Sequence, residues 1–173
     1  MYSDKFHFEE GLNYRIFHIT KPITQSNSDI AIIPYPCLIY CSEGSAKINY
    51  NNSTYTIHKD SVLCVFSNTT FQATDISDDL QSSVILFSND LIIDSTIGFK
   101  AEYLSNIFVH PYKPLTDECN KQIFHNLFST LDAYEDCKSR FDRSTDFVYG
   151  IIRCMLIALA EMSKHEDKLN TSS

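Results

Sequence analysis

The chain predicts an α+β protein that is mainly β, a barrel or sandwich of short strands followed by an antiparallel pair of α-helices. Three observations carry this. Up to about residue 90, short runs of β-branched and aromatic residues alternate with turn signals at even spacing, as in sandwiches and barrels. Beyond that point the apolar period lengthens from that of a strand to that of a helix. The 173 residues, 43% hydrophobic and 21% charged, suffice for one ordinary core without a disulfide staple.

Strands are expected at Tyr14–Thr20, Ile30–Ile33, Cys37–Cys41, Ala46–Tyr50, Tyr55–His58, Val62–Phe66, Thr70–Asp75 and Ser83–Phe87. The breaks between them are turn-forming clusters, among them Lys21-Pro22, Pro34-Tyr35-Pro36, Ser42 to Ser45 and Ser77 to Asp79. Alternation is clearest in the middle. Ala46, Ile48 and Tyr50 share one face, Lys47 and Asn49 the other, and Asn51-Asn52-Ser53 turns the chain back into Tyr55 and Ile57.

Leu91 to Ile107 reads as short helical pieces anchored by Phe99, Tyr103 and Leu104. Thr116, followed by Asp117 and Glu118, is a helix start with a capping hydroxyl and acids at the positive end of the dipole. Ile123, Leu127 and Leu131 then recur beside Phe124 and Phe128, with Lys121, Gln122, His125, Asn126 and Ser129 opposite, out to Tyr134–Cys137. A polar connection, Glu135 to Arg143, leads to a second helix from Ser144 to Met162, and Glu166 to Ser173 reads as a frayed tail. That second helix carries Tyr149, Arg153, Ile157 and Glu161 on the side away from its main apolar stripe. The side is not cleanly polar, so it needs a cover, either a crowded core or a subunit interface. The boundaries that follow are 1–113 for the β unit and 114–173 for the helical hairpin.

Charge and cysteine usage narrow the function. Fourteen basic against 22 acidic residues give a net charge of −8, spread over both segments. Polyphosphate binding demands the opposite balance, so this chain by itself is a poor nucleic-acid binder. Cys37, Cys41, Cys64, Cys119, Cys137 and Cys154 form no C-x-x-C pair, and the N-terminus has no apolar signal segment. All six are expected to be reduced, small core hydrophobes, and the protein to be cytoplasmic with no membrane partner. Among the histidines, His58 and His125 fall on polar faces, and His18 shares a strand face with Ile16. No H-x-H, H-E-x-x-H or G-x-S-x-G motif occurs, and four glycines supply no phosphate-cradling loop. The expectation is a non-enzyme without a cofactor or a metal.

Strand parity then defines a pocket inside the barrel. Its lining is expected to be Ile39, Ile48, Tyr50, Tyr55, Cys64, Phe66, Phe71, Ile85 and Phe87, with the two tyrosines as polar handles.

From Cys37 to Phe71 the chain runs as an apolar strand, a Gly44 turn, an outgoing strand, an Asn51-Asn52 turn and Tyr55-Thr56-Ile57. A Lys59-Asp60 corner follows, then an apolar strand ending at Asn68. This pattern resembles the N-terminal cupin-like domain of AraC-family bacterial transcription regulators, and the two helices after Pro114 resemble that family's dimerisation helices. The resemblance implies a cupin-like (jelly-roll) β-barrel with an N-terminal arm, binding an unknown small-molecule effector. It implies dimerisation through the helical pair and DNA contact only through a missing C-terminal helix-turn-helix domain, and the unclean polar face of the second helix leads to the expectation of a homodimer through Tyr149, Arg153, Ile157 and Glu161. Lys59 stands where such corners usually have Gly, and Phe71 falls where many cupins place a metal-ligand histidine, which implies loss of the usual metal chemistry. Two other readings stay open, a cupin-like small-molecule enzyme with an unrecognised active site and a ligand-free dimeric scaffold.

Overall fold

The computed structural model describes residues 8, 12–20, 30–137 and 145–170, with the side chains of the last helix through Met162. The strands are β1 Tyr14–Thr20, β2 Ala31–Ile33, β3 Cys37–Glu43, β4 Ser45–Tyr50, β5 Ser53–His58, β6 Ser61–Val65, β7 Thr69–Thr74, β8 Gln81–Phe87 and β9 Tyr112–Pro114. The helices are α1 Asn89–Ser95, α2 Ala101–Val109, α3 Glu118–Cys137 and α4 Thr145–Asn170. Two antiparallel sheets result, ordered β1-β8-β3-β6-β9 and β2-β7-β4-β5. The fold is mainly β and cupin-like, and it has three layers: the second sheet, the first sheet, and the helices packed on the first sheet's outer face.

The β4–β5 hairpin shows how local sequence sets geometry. Ala46, Ile48 and Tyr50 are buried and Lys47 is exposed, as the alternation predicts. Asn51 and Asn52 take φ of 48° and 62°, the left-handed region that a two-residue hairpin turn needs and that asparagine tolerates. At the β3–β4 corner, Gly44 has φ of 73°, and a Cβ there would lie 2.7 Å from the Leu80 backbone.

The first sheet behaves differently because it is covered twice. Cys37 to Cys41 in β3 and all of β6 are buried on both faces. Leu63, Val65, Val84 and Leu86 point between the sheets, whereas Cys64, Ile85 and Phe87 point at the helices. The parity expected for those three residues is therefore reversed. A strand with apolar side chains on both faces carries no polar marker of which side is out, and a one-residue shift flips the whole strand.

Ser88 caps α1, its hydroxyl accepting from the Leu91 N–H at 3.1 Å. Asp117, not Thr116, caps α3, accepting from the Asn120 N–H at 2.9 Å. The buried stripe of α3 is Phe124, Phe128, Leu131 and Tyr134, and Phe128 stacks on Tyr40 of β3. Ile123, expected in that stripe, is 38% exposed. Tyr14 and His18 of β1 reach Glu135 and Asp132 at 2.7 and 3.1 Å and tie α3 to the sheet. His18 is thus a surface residue held by a carboxylate. The helix that was expected to stop at Met162 continues to Asn170, so 166–170 is helical. The connection 138–143 and residues 171–173 lie outside the described residues.

Two further expectations change. Tyr112–Pro114, where no strand was expected, is the second strand neighbour of β6, and its Lys113 is only 2% exposed. Of the six cysteines only Cys37, Cys41 and Cys64 are core residues; Cys119 and Cys154 are exposed and Cys137 is partly so. Helix faces turned to water hold those three, where a thiol fills no gap.

Candidate functional site

Where β3 begins and β6 and β8 end, the first sheet and the helices diverge and leave an apolar cleft of about 390 Å³. One wall is strand ends and the segment after β6: Cys37, Leu38, Cys64, Phe66, Ser67 and Phe87. The other is helical: Ile92 and Ile93 of α1 with its C-terminal cap Thr96, Leu104, Ile107 and Phe108 of α2, and Leu156 of α4. The chain leaves β8 straight into α1 and folds back into α2 through Gly98, whose φ of 78° suits the reversal. Phe66 and Phe108 stack with centroids 4.1 Å apart and bridge the two walls.

Polar groups here are few. The Thr96 hydroxyl donates to the Ile92 and Ile93 carbonyls within its own helix turn. Ser67 and Asn89 supply a hydroxyl and an amide, and Asn89 is exposed at the rim. Burial pushes the Cys64 thiol up to about 12, and Cys37 is raised too, by burial first and then by Cys64. Both thiols are neutral at physiological pH, so neither is an activated nucleophile. Among the described residues, no three His, Cys, Asp or Glu side chains converge as a metal site. A cleft of this size and lining has the room and the polarity that suit an apolar small molecule.

The nine residues expected to line one barrel pocket divide between two places. Ile39, Ile48, Tyr50, Tyr55 and Phe71 do lie between the sheets. Cys64 and Phe87 line the cleft instead, Phe66 touches both regions, and Ile85 is helix-facing core. Nor is Tyr50 a spare polar handle, since its hydroxyl accepts from the Phe66 N–H at 3.0 Å. Tyr50, Tyr55 and Tyr112 follow one another at ring separations of 6.3 and 6.1 Å between the sheets. Sequence reasoning missed the α1 and α2 wall; the signal was present in Leu91-Ile92-Ile93, read only as part of a helical stretch, and in Leu104, read only as a helix anchor.

The expected dimer face of α4 is covered by the chain's own α1 and α2. Arg153 donates to the Ser95 and Ile97 carbonyls at 2.8 and 2.9 Å, and its guanidinium lies 4.8 Å from the centre of the Phe99 ring. Tyr149 donates to the Asp94 carbonyl, Tyr103 donates to Glu161, and Ile157 is half-buried on the same side. The cover that this side of α4 needs comes from within the chain, from residues 89 to 109.

A second, polar cleft of about 290 Å³ lies between β3 and α3, with Tyr40, Asp60, Glu118, Lys121 and His125 around it. Its charges satisfy one another: Lys121 reaches Glu118 at 2.7 Å and Asp60 at 3.8 Å. Burial, with Asp60 next to it, holds the Tyr40 phenol up at about 12.

No protein-family model and no curated protein sequence matches the chain. Solved structures do. An apo form of ToxT from Vibrio cholerae strain SCE256 aligns over 94% of this chain and 59% of its own, at 16% identity and a TM-score of 0.55. ToxT from Vibrio cholerae O395 bound to (E)-4-(8-methylnaphthalen-1-yl)but-3-enoic acid aligns over 88% and 58%, at 15% identity and a TM-score of 0.52. The cupin domain of Schizosaccharomyces pombe Cnp3 aligns over 50% of this chain and 64% of its own, at 11% identity and a TM-score of 0.39. The chain thus spans about three-fifths of the ToxT chains it resembles. Among the described residues, no helix is long and apolar enough to cross a membrane.

Proposed function

We propose that this chain is the ligand-sensing domain of an AraC-type transcription regulator, not an enzyme. It holds a small apolar molecule in the cleft between the first sheet and the α1–α2 pair and passes occupancy on to α4. One observation carries the proposal. The helical wall of the cleft is the same piece of chain that Tyr149, Arg153 and Glu161 of α4 grip. Filling the cleft presses on α1 and α2, and a shift there must strain or re-seat those contacts. Ligand then biases α4 to the extent that it binds one arrangement better than the other. The ToxT-like fold over nearly the whole chain supports the reading, since ToxT is a regulator of the AraC family and one of its structures holds an apolar acid.

In this reading DNA is contacted by a helix-turn-helix domain outside these residues, since their own acidic balance does not suit a polyphosphate. Homodimerisation is part of the same proposal. With its first expected face covered, pairing uses the outward side of α3 and α4, where Ile123 and Phe147 are 38% and 42% exposed. Sedimentation of the wild-type chain tests that part by itself.

The cleft is tested with the fluorescent apolar probe N-phenyl-1-naphthylamine. Wild type is expected to bind it, and Ile92→Trp, which fills the helical wall with an indole, to weaken binding by about tenfold or more. Circular dichroism of the variant checks that the fold is kept. Absence of probe binding to wild type, or equal binding by a folded variant, would refute the cleft as the site.

A further inference from the structure

We infer that this cleft selects uncharged ligands and rejects carboxylates, so that its natural occupant is an apolar molecule with a neutral hydrogen-bonding head such as an alcohol, ester or ketone. The inference rests on the cleft being the ligand site. It also departs from the acid found on ToxT, to which this chain is similar only in fold.

The interior and the rim of the cleft each disfavour an anion. Inside, no described lining residue carries a charged side chain. The Thr96 hydroxyl is engaged within α1, and the two thiols are neutral and weak donors. A buried carboxylate needs a cation or several N–H donors, and without them its desolvation dominates. Among the described residues Arg153 and Lys113 are cations near the cleft, and both are committed. Arg153 is spent on the Ser95 and Ile97 carbonyls and the Phe99 ring. Lys113 is close enough to act electrostatically on Cys64, yet it is buried on β9, has an interaction of its own, and does not line the cleft.

In the alternative pose the acid keeps its head in water at the rim, and there the field opposes it. Helix α1, which forms the rim with Asn89 and Ile93, carries Asp90 and Asp94 and no basic residue. The chain as a whole bears a charge of −8. An anion is therefore disfavoured in both positions, while the Asn89 amide and the Ser67 hydroxyl suit a neutral donor or acceptor.

The test is displacement of N-phenyl-1-naphthylamine from the wild-type chain by decanol, methyl decanoate and decanoate, at about pH 8 and below micelle formation. Decanol and the ester are expected to displace the probe at concentrations lower than decanoate by about tenfold or more. Decanoate acting as well as decanol overturns the inference. Because any apolar surface favours the neutral compound, Asn89→Lys serves as the second arm. A cation at the rim is expected to raise decanoate affinity about tenfold and leave decanol within about twofold. An unchanged decanoate affinity in that variant shows that the head group is not read at this rim and overturns the inference as well. Failure of the probe itself to bind wild type is a different result, since it removes the proposed ligand site.

Discussion

Arg153→Met separates the two accounts of α4 most cleanly. Methionine keeps most of the apolar stem, so packing changes little and the loss is confined to the guanidinium. That group makes two hydrogen bonds to carbonyls at the C-terminal end of α1 and stacks on Phe99. The site is partly open to water, so each charged hydrogen bond contributes about 1 kcal/mol, below the range for fully buried ones. The cation–ring contact adds about 0.5–1 kcal/mol. The variant should therefore lose about 2–3 kcal/mol, and most of it should appear locally. Helix α1 has only seven residues, too few to persist without tertiary support. Native-state hydrogen exchange is the assay. Amides of α1 and of the turn around Thr96 should exchange about thirty- to hundredfold faster, while β3 and β6 change no more than global stability requires. If α1 keeps its protection and sedimentation changes instead, Arg153 works between subunits and the intrachain clamp is wrong.

Two further outcomes follow from the β layers. Gly44→Ala puts a Cβ at positive φ and within 2.7 Å of the Leu80 backbone, so it should cost about 2–5 kcal/mol in urea unfolding; a loss below about 0.5 kcal/mol would mean that the corner relaxes freely. For alkaline stability the sign is set by a raised thiol. Cys64 is neutral in the folded chain up to about 12, against roughly 8.5 for an exposed thiol, so its stabilising contribution is complete below about pH 8 and declines as pH rises toward the folded value. Unfolding free energies between about pH 8 and pH 11 should fall less steeply in Cys64→Ala, by roughly 1.4 kcal/mol per pH unit, and parallel slopes would contradict this.

Much of the fold could be read one residue at a time. Strand boundaries came within a residue or two because turn chemistry is local: Asn51-Asn52 and Gly44 reverse the chain through their own backbone preferences. The inward face of β4 was legible because Lys47 marks its outward side. The start of α3 followed from its cap with an error of one residue at Asp117, where two adjacent residues can each cap and only the backbone path chooses, whereas α4 runs on past the expected stop at Met162 to Asn170.

The cleft was not legible in this way. Cys64, Ile85 and Phe87 belong to strands covered by a sheet on one side and helices on the other, and no alternation records which apolar side chain faces which layer. The role of Arg153 was equally hidden. A basic residue on a mostly apolar helix reads the same whether it meets a twin or the end of another helix. What decided it was α1 and α2 folding back at Gly98 over α4, a contact between residues more than fifty positions apart. Local propensity and polarity set the elements; which surfaces meet is settled by burial summed over the whole chain, and the proposed site exists only where those surfaces fail to close.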